Sequence, residues 1–302
     1  MACKCNGGLA NTGIDNGCKE FFGATKGIIL MNTYDSLGVR NSILSSSTID
    51  SAFLTLKLNE VDKTKRWYPI SKLEKAEITQ AENVYEEAAD RKLFVKSGVR
   101  SFAAELWQVS EDFAGKIDDI RCNETSAYLV DANGNIQGII SEDGTKLYPF
   151  RISQGSWTAT YTQASESNNT LGKAMISFSF DRNDTSNSDY IRMITGVTTD
   201  ILSATGLIDV TLIGLASPTV TATSFSISAT IENGTVNPSK FTKILLADLV
   251  IKKGLVSVVP TAIINNNDGT YLVTIPSNVA STLSISILKT GFESNTIAIV
   301  TP

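Results

Sequence analysis

The chain has 302 residues, 42 % hydrophobic and 19 % charged, with a formal net charge of −5. That is long enough for two domains with cores of their own, and the acidic balance argues against broad binding to nucleic acid or to anionic membranes. Histidine is absent, which removes the commonest general base, the commonest metal ligand and every His-based triad.

The charge is unevenly placed. Residues 206–302 hold Lys240, Lys243, Lys252, Lys253 and Lys289 against Asp209, Glu232, Asp248, Asp268 and Glu293, so the whole excess of acid lies in residues 1–205. All cysteines, tryptophans and methionines lie there too. Two compositions predict two domains, 1–205 and 206–302. The opening MACKCNGGLANTG has no apolar core of the length a secretory signal needs, and no apolar run approaches the roughly 20 residues of a membrane span. Cys3, Cys5 and Cys18 share this Gly/Asn-rich arm while Cys122 is distant, a spacing that fits no zinc pattern without a fourth nearby ligand. A disulfide stays open as an alternative to free thiols.

Residues 26–34, KGIILMNTY, read as a buried strand. A long Ser/Thr-rich and then charged connection follows over 35–66, with a strand expected near 53–58 around Phe53, Leu54, Leu56 and Leu58. Trp67-Tyr68-Pro69-Ile70 opens the next unit. Residues 76–105 contain good helix formers, yet Ile78, Gln80, Glu82 and Val84, then Lys92, Phe94 and Lys96, alternate. A long β-hairpin is the expectation, its second strand entered through a turn at Ser97-Gly98. Glu86 and Glu87 are adjacent, so in a strand they face opposite ways and form no acid–base pair.

A helix is predicted after Ser110: Glu111 and Asp112 load its first turn, and Phe113, Ile117 and Ile120 share a face. Asp118 and Asp119 then belong to its solvated side. SAYLVDANGNIQGII reads as a hairpin around Ala132-Asn133-Gly134. Asp131, Asn133, Asn135 and Glu142 imitate a calcium loop, but Ile136 stands where that loop demands glycine. A further hairpin is expected at Asp143-Gly144. KLYPFRI, SWTATYTQ and KAMISFSF follow as alternating strands, with Tyr148, Phe150, Trp157 and Tyr161 read as core and not as a stacking platform for bases. In KAMISFSFDRNDTSNSDYIRMI, Ile176, Phe178 and Phe180 face one way. Asp181, Asp184 and Asp189 fall in the polar loop that follows. Residues 195–217 form a Gly/Ser/Thr-rich junction with some strand character. From about 218, six or so short strands with turn signals at Asn233-Gly234 and Asp268-Gly269 give the pattern of an immunoglobulin-like sandwich. The fold class expected for the chain is therefore mainly β with one flanking helix, and no catalytic, cofactor-binding or metal-binding residues are predicted.

The order of features resembles the tail tube proteins of long-tailed bacteriophages over about residues 1–200. It runs from the Cys/Gly arm through the strand ending at Tyr34-Asp35, RWYPI, AENVYEEA, FVKSGVRSFAAEL, the helix, YLVDANGNIQG and DGTKLYPFRI to ISFSFDRNDTSNSDYIRMI. That resemblance implies a sandwich or barrel-like core with one flanking helix. It implies hexameric rings that stack, inner strands closing into one barrel, and genomic DNA leaving through the lumen without specific binding. Acidic walls would repel phosphates and let DNA slide, residues 35–66 and the 76–100 hairpin would make contacts between rings, and Asp181, Asp184 and Asp189 would pair across subunits or face solvent. The implied partners are further copies of the chain and other tail proteins, with no cofactor and no membrane anchor, in a virion assembled in host cytoplasm. The C-terminal part resembles the Ig-like decorations of phage tail and capsid proteins; its outward projection would clash with a contractile sheath, which favours a non-contractile tail. The competing readings are an adhesin or fibre-type protein binding carbohydrate or host surface, and a carboxylate-based glycosidase.

Overall fold

A computed structural model describes residues 22–88, 90–166, 171–185, 190–215, 222–232, 235–276 and 282–300. The chain is mainly β and divides into two compact units, Met1–Val109 with Ala114–Ala204, and Thr205–Pro302 with Ser110–Phe113. Cys3, Cys5, Cys18, Asp189 and the Asn233-Gly234 turn lie outside the described residues.

Unit 1 begins with β1 (Thr25–Asn32), β2 (Ile43–Leu44) and α1 (Ser51–Leu58). Then come β3 (Tyr68–Ser71), β4 (Glu74–Gln80), β5 (Val84–Ala88), β6 (Arg91–Lys96) and β7 (Arg100–Trp107). α2 (Glu111–Asp118) precedes β8 (Thr125–Asp131), β9 (Ile136–Ile140), β10 (Lys146–Tyr148) and β11 (Phe150–Arg151). The unit closes with β12 (Thr158–Thr162), β13 (Lys173–Ser179), α3 (Arg182–Thr185) and β14 (Ile191–Ile194). One sheet runs β2-β10-β9-β8-β1-β3, with β11 added to β8 and β14 to β9; a second runs β12-β13-β7-β4.

The first sheet is buried on both faces. Ile28 and Leu30 of β1, with Ala127 and Leu129 of β8, join the core shared with the second sheet. Ile29, Met31, Tyr128 and Val130 point the other way, into a core with Leu54, Trp67 and Ile201. This explains why KGIILMN reads as an unbroken apolar run: both faces are dry. The second sheet is dry on one face only. Phe178 stacks between Trp157 and Phe102, each with ring centroids 4.9 Å away, and meets Phe180 edge-on at 5.2 Å.

The strand expected at 53–58 is a helix instead. Asp50 caps it by accepting from Phe53 N at 2.8 Å. Phe53, Leu54 and Leu58 then fall on one helical face over Trp67 while Leu56 is exposed, a 3.6-residue period that a short apolar cluster hides. The 35–66 connection is thus structured, and Trp67 belongs to the same unit as β1, whose partner β3 is. In α2 the buried face is Ala114 and Ile117, while Phe113 remains 37 % exposed. Asp119 is exposed and Asp118 half-buried: Asp118 pairs with Arg121 at the surface and also accepts from Ala159 N at 3.2 Å, tying α2 to β12. The hairpins at 132–134 and 143–144 are present, with Gly134 and Gly144 at positive φ.

Unit 2 contains β15 (Ile208–Gly214), β16 (Ser224–Ile231), β17 (Ser239–Lys240), β18 (Leu249–Lys253) and β19 (Val256–Val258). It continues with β20 (Ala262–Asn265), β21 (Thr270–Thr274), β22 (Leu283–Lys289), β23 (Phe292–Ser294) and β24 (Ile297–Ile299). The order is β19-β18-β22-β23-β15-β16-β21-β20 around one core, in which Phe225, Ile227, Ile251, Tyr271 and Ile285 are buried. Strand structure therefore begins before residue 218. The buried Tyr271 hydroxyl donates to Phe241 O at 2.7 Å.

Truncating Phe178, the centre of the aromatic stack, leaves a cavity that rigid neighbours cannot fill. Phe178→Ala is expected to lower the unfolding free energy by about 3–5 kcal/mol in denaturant titrations of the full chain.

Candidate assembly surfaces

The second sheet of unit 1 has two open edges. Edge strand β12, TATYT, carries no charge, no proline and no bulge. The opposite edge, β4, is EKAEITQ, interrupted by a bulge between Glu74 and Glu77 and by Lys75 at φ 49°. Charges and bulges are how proteins blunt an edge against pairing with another chain; the residues of β12 supply neither, and the edge is met at one point, where Asp118 of α2 accepts from Ala159 N.

The outward face of this sheet mixes hydroxyls with apolar groups. Thr158 lies beside Ser177 and shares a hydrogen bond with it at 2.7 Å, Thr160 pairs with Met175 and Thr162 with Lys173, and Met175 and Trp107 are exposed. Across its four strands three carboxylates (Glu74, Glu77, Glu105) meet three cations (Lys75, Arg100, Lys173). The acidic wall expected from the charge of residues 1–205 is therefore not on these strands. Glu105 is the best-tethered of the six: it accepts from Lys173 Nζ at 2.7 Å and from Trp107 Nε1 at 2.8 Å, with Lys75 Nζ at 3.2 Å. The Lys173 bond, then the indole N–H, hold its carboxyl down to about 2 against the opposing effect of burial.

The sheet continues into an arm. β4 and β7 pair up to Gln80↔Arg100, and β5 and β6 then pair with each other. The break at 97–99 is not a hairpin turn but a bend of both strands. Gly98 N donates to Asn83 Oδ1 at 2.9 Å, and a Cβ at Gly98 would stand 1.7 Å from Ala81 O, so only glycine fits. Beyond the bend Val84, Tyr85, Leu93, Phe94 and Val95 are all exposed. Tyr85 and Phe94 meet edge-on at 5.9 Å, and Glu87 pairs with Lys92. An isolated two-stranded ribbon is marginal in water, and five exposed apolar residues on one ribbon mark an interaction surface.

The loop after β13 is built differently from the expectation. Asp184 is buried and accepts from Arg40 Nη2 at 2.7 Å, Arg151 N at 2.9 Å and Arg151 Nε at 3.1 Å; Asp181 lies 3.6 Å from Arg151. These charges are satisfied within the chain, because β11 and the Tyr34–Arg40 turn converge on α3. A cleft of about 290 Å³ beside them is lined by Arg40, Tyr148, Tyr190 and Glu142, and Arg40 stacks over the Tyr148 ring. The calcium-like stretch is also closed on itself: Asp131 accepts from Gly23 N, Asn133 N, Asn135 N and Asn135 Nδ2. No group of three or more Cys, Asp or Glu suited to a metal occurs among the described residues. Cys122 is an exposed free thiol. No helix among the described residues is long and apolar enough to cross a membrane.

No family model and no curated relative matches the chain. Among solved structures, a chain of the anti-feeding prophage baseplate, from a sixfold-symmetrised cryo-EM structure, matches with a TM-score of 0.27 and 8 % identity. The match covers 60 % of this chain and 100 % of that one. A similarity of that size carries no functional argument.

Removing Asp184 takes the carboxylate from Arg40 and leaves Arg151 only Asp181, in a half-dry site. Asp184→Ala is expected to cost about 3 kcal/mol of stability, read from denaturant midpoints. Glu105 gives a pH signature. Its folded pKa lies below its ordinary value of 4.5, so its contribution is complete above that value and is lost as pH falls towards 2. Glu105→Gln should flatten the acid limb of the stability–pH profile relative to the parent, and identical profiles would contradict the assignment.

Proposed function

We propose that the chain is a structural virion protein, the major tail tube subunit of a long-tailed phage. Subunits form hexameric rings that stack, and unit 2 is an Ig-like domain on the outside of a non-contractile tail. The observation that carries the reading is the β12-β13-β7-β4 sheet, with one dry face, one exposed face without net charge, and an edge strand at β12 that has no charge, proline or bulge. Such a sheet is suited to continuing into a neighbour's, and closing a ring of sheets removes every edge. Its neutral outward face would offer passing DNA neither attraction nor strong repulsion, so sliding would rest on the lack of basic contacts. The apolar arm beyond Gly98 then supplies contacts between rings. For unit 2, the order β19-β18-β22-β23-β15-β16-β21-β20 corresponds to C′-C-F-G-A-B-E-D, which supports the Ig-like reading.

Electron microscopy of the purified protein at rising concentration tests this. Rings or hollow tubes with lateral knobs are expected. Tyr85→Asp with Phe94→Asp should abolish tubes while leaving the melting temperature unchanged, because the arm lies outside the cores. A parent protein that stays monomeric throughout would overturn the reading and favour the adhesin.

A further inference from the structure

The strand register of unit 2 sorts its charges. β15 finishes at Gly214, β21 at Thr274, and β18 and β24 finish opposite Leu283, where β22 begins; the parallel β15–β23 pairing fixes their common direction. All of these termini, with the Gly254-Leu255 turn, form one end of the unit. The other end holds Ile208, where the chain enters. All five carboxylates lie at that entry end. Asp209 and Glu293 are paired in register, Glu232 follows β16, and Asp248 and Asp268 precede β18 and β21. Lys240 pairs with Thr230 there, Lys289 bonds Asp248 at 2.7 Å, and Lys243 adjoins Thr242, whose carbonyl accepts from Asn265.

Lys252 and Lys253 are therefore the only charged side chains at the far end among the described residues. The described residues beside the strand ends there, 215, 222–223, 254–261, 275–276, 282 and 300, include none with a charge. Asp248, the nearest carboxylate along β18, lies four residues from Lys252, about 13 Å and more than one Debye length at physiological salt, and it is already bonded by Lys289, so it does not neutralise these lysines. The whole-chain balance of −5 conceals this local polarity.

The same end is apolar. Leu255 is 100 % exposed, and Val256, Leu215 and Val300 are exposed around it. Lys253 pairs with Val256, leaving a two-residue turn in which Gly254 takes φ 62°. A tight turn of this kind is rigid, so Leu255 is held outward by the backbone and does not reach solvent merely through a loose loop.

We propose that this end of unit 2 docks on the surface of a bilayer bearing anionic headgroups. Leu255 and Val256 enter the boundary between headgroups and acyl chains, and the two lysines meet lipid phosphates at its rim. A soluble polyanion would use the lysines and have no use for the apolar apex.

The test is flotation of the full chain with phosphatidylcholine vesicles, with and without phosphatidylglycerol, at concentrations where sedimentation shows a monomer. This keeps it independent of the tube reading. Binding should require phosphatidylglycerol. Lys252→Glu with Lys253→Glu should weaken it by about thirtyfold or more, and Leu255→Asn by about tenfold, with unchanged melting temperatures. Leu255→Trp should show a blue-shifted emission on vesicles. No binding, equal binding to both vesicles, or variants that bind like the parent would overturn the proposal. Binding to soluble polyphosphate that Leu255→Asn leaves intact would also overturn it, assigning the end to polyanions.

Discussion

Unit 1 depends on a single sheet that must be dry on both sides. β1 and β8 send Ile28, Leu30, Ala127 and Leu129 to one core and Ile29, Met31, Tyr128 and Val130 to another. Each face needs a cover. The second sheet and α2 cover one; α1 and the segment around Ile201 cover the other. The 35–66 connection is therefore structural, because without its capped helix the Trp67 side would lie open to water. Tyr128 shows the same constraint at one residue: fully buried, its hydroxyl donates to Leu147 O at 2.8 Å, and burial pushes its ionisation far above the ordinary range.

The second sheet obeys the opposite logic. Only one of its faces is dry, and among the described residues its edge strands β12 and β4 pair with no further strand. A protein that keeps a flat, uncharged strand at an edge accepts an aggregation hazard unless another chain occupies that edge. The same sheet carries the ribbon beyond Gly98, whose apolar residues find no cover in their own unit. Both features point outward from one sheet, which is why assembly explains them more economically than a ligand does. The buried Asp184 cluster supplies the contrast: where charges converge inside the unit, the carboxylates meet guanidinium groups of the same chain.

In unit 2 the partition of charge follows from topology alone. Alternate strands run in opposite directions, so residues widely spaced in sequence gather at one end. The module has equal numbers of acids and bases and would pass as featureless by composition. Its two ends differ in sign only because the strands return the carboxylates to the entry side.

Much of this was legible from the sequence. Period-two alternation in KAMISFSF and the glycines at 134 and 144 act through local geometry, and local geometry is written in consecutive residues. The long 76–105 hairpin was legible for the same reason. The 53–58 segment was not, because four apolar residues within six fit both periods and only Asp50 and the position of Trp67 decide between them. The roles of Asp184 and Glu105 were hidden too, since Arg40, Arg151, Lys173 and Trp107 come from other strands. By itself the sequence determined the β class, the change of composition between the two parts, the turns and the lack of histidine chemistry. Only the tertiary structure decided which charges neutralise one another, which edge stays open and which end of unit 2 is basic. Those properties depend on distances between strands that the chain brings together over dozens of residues.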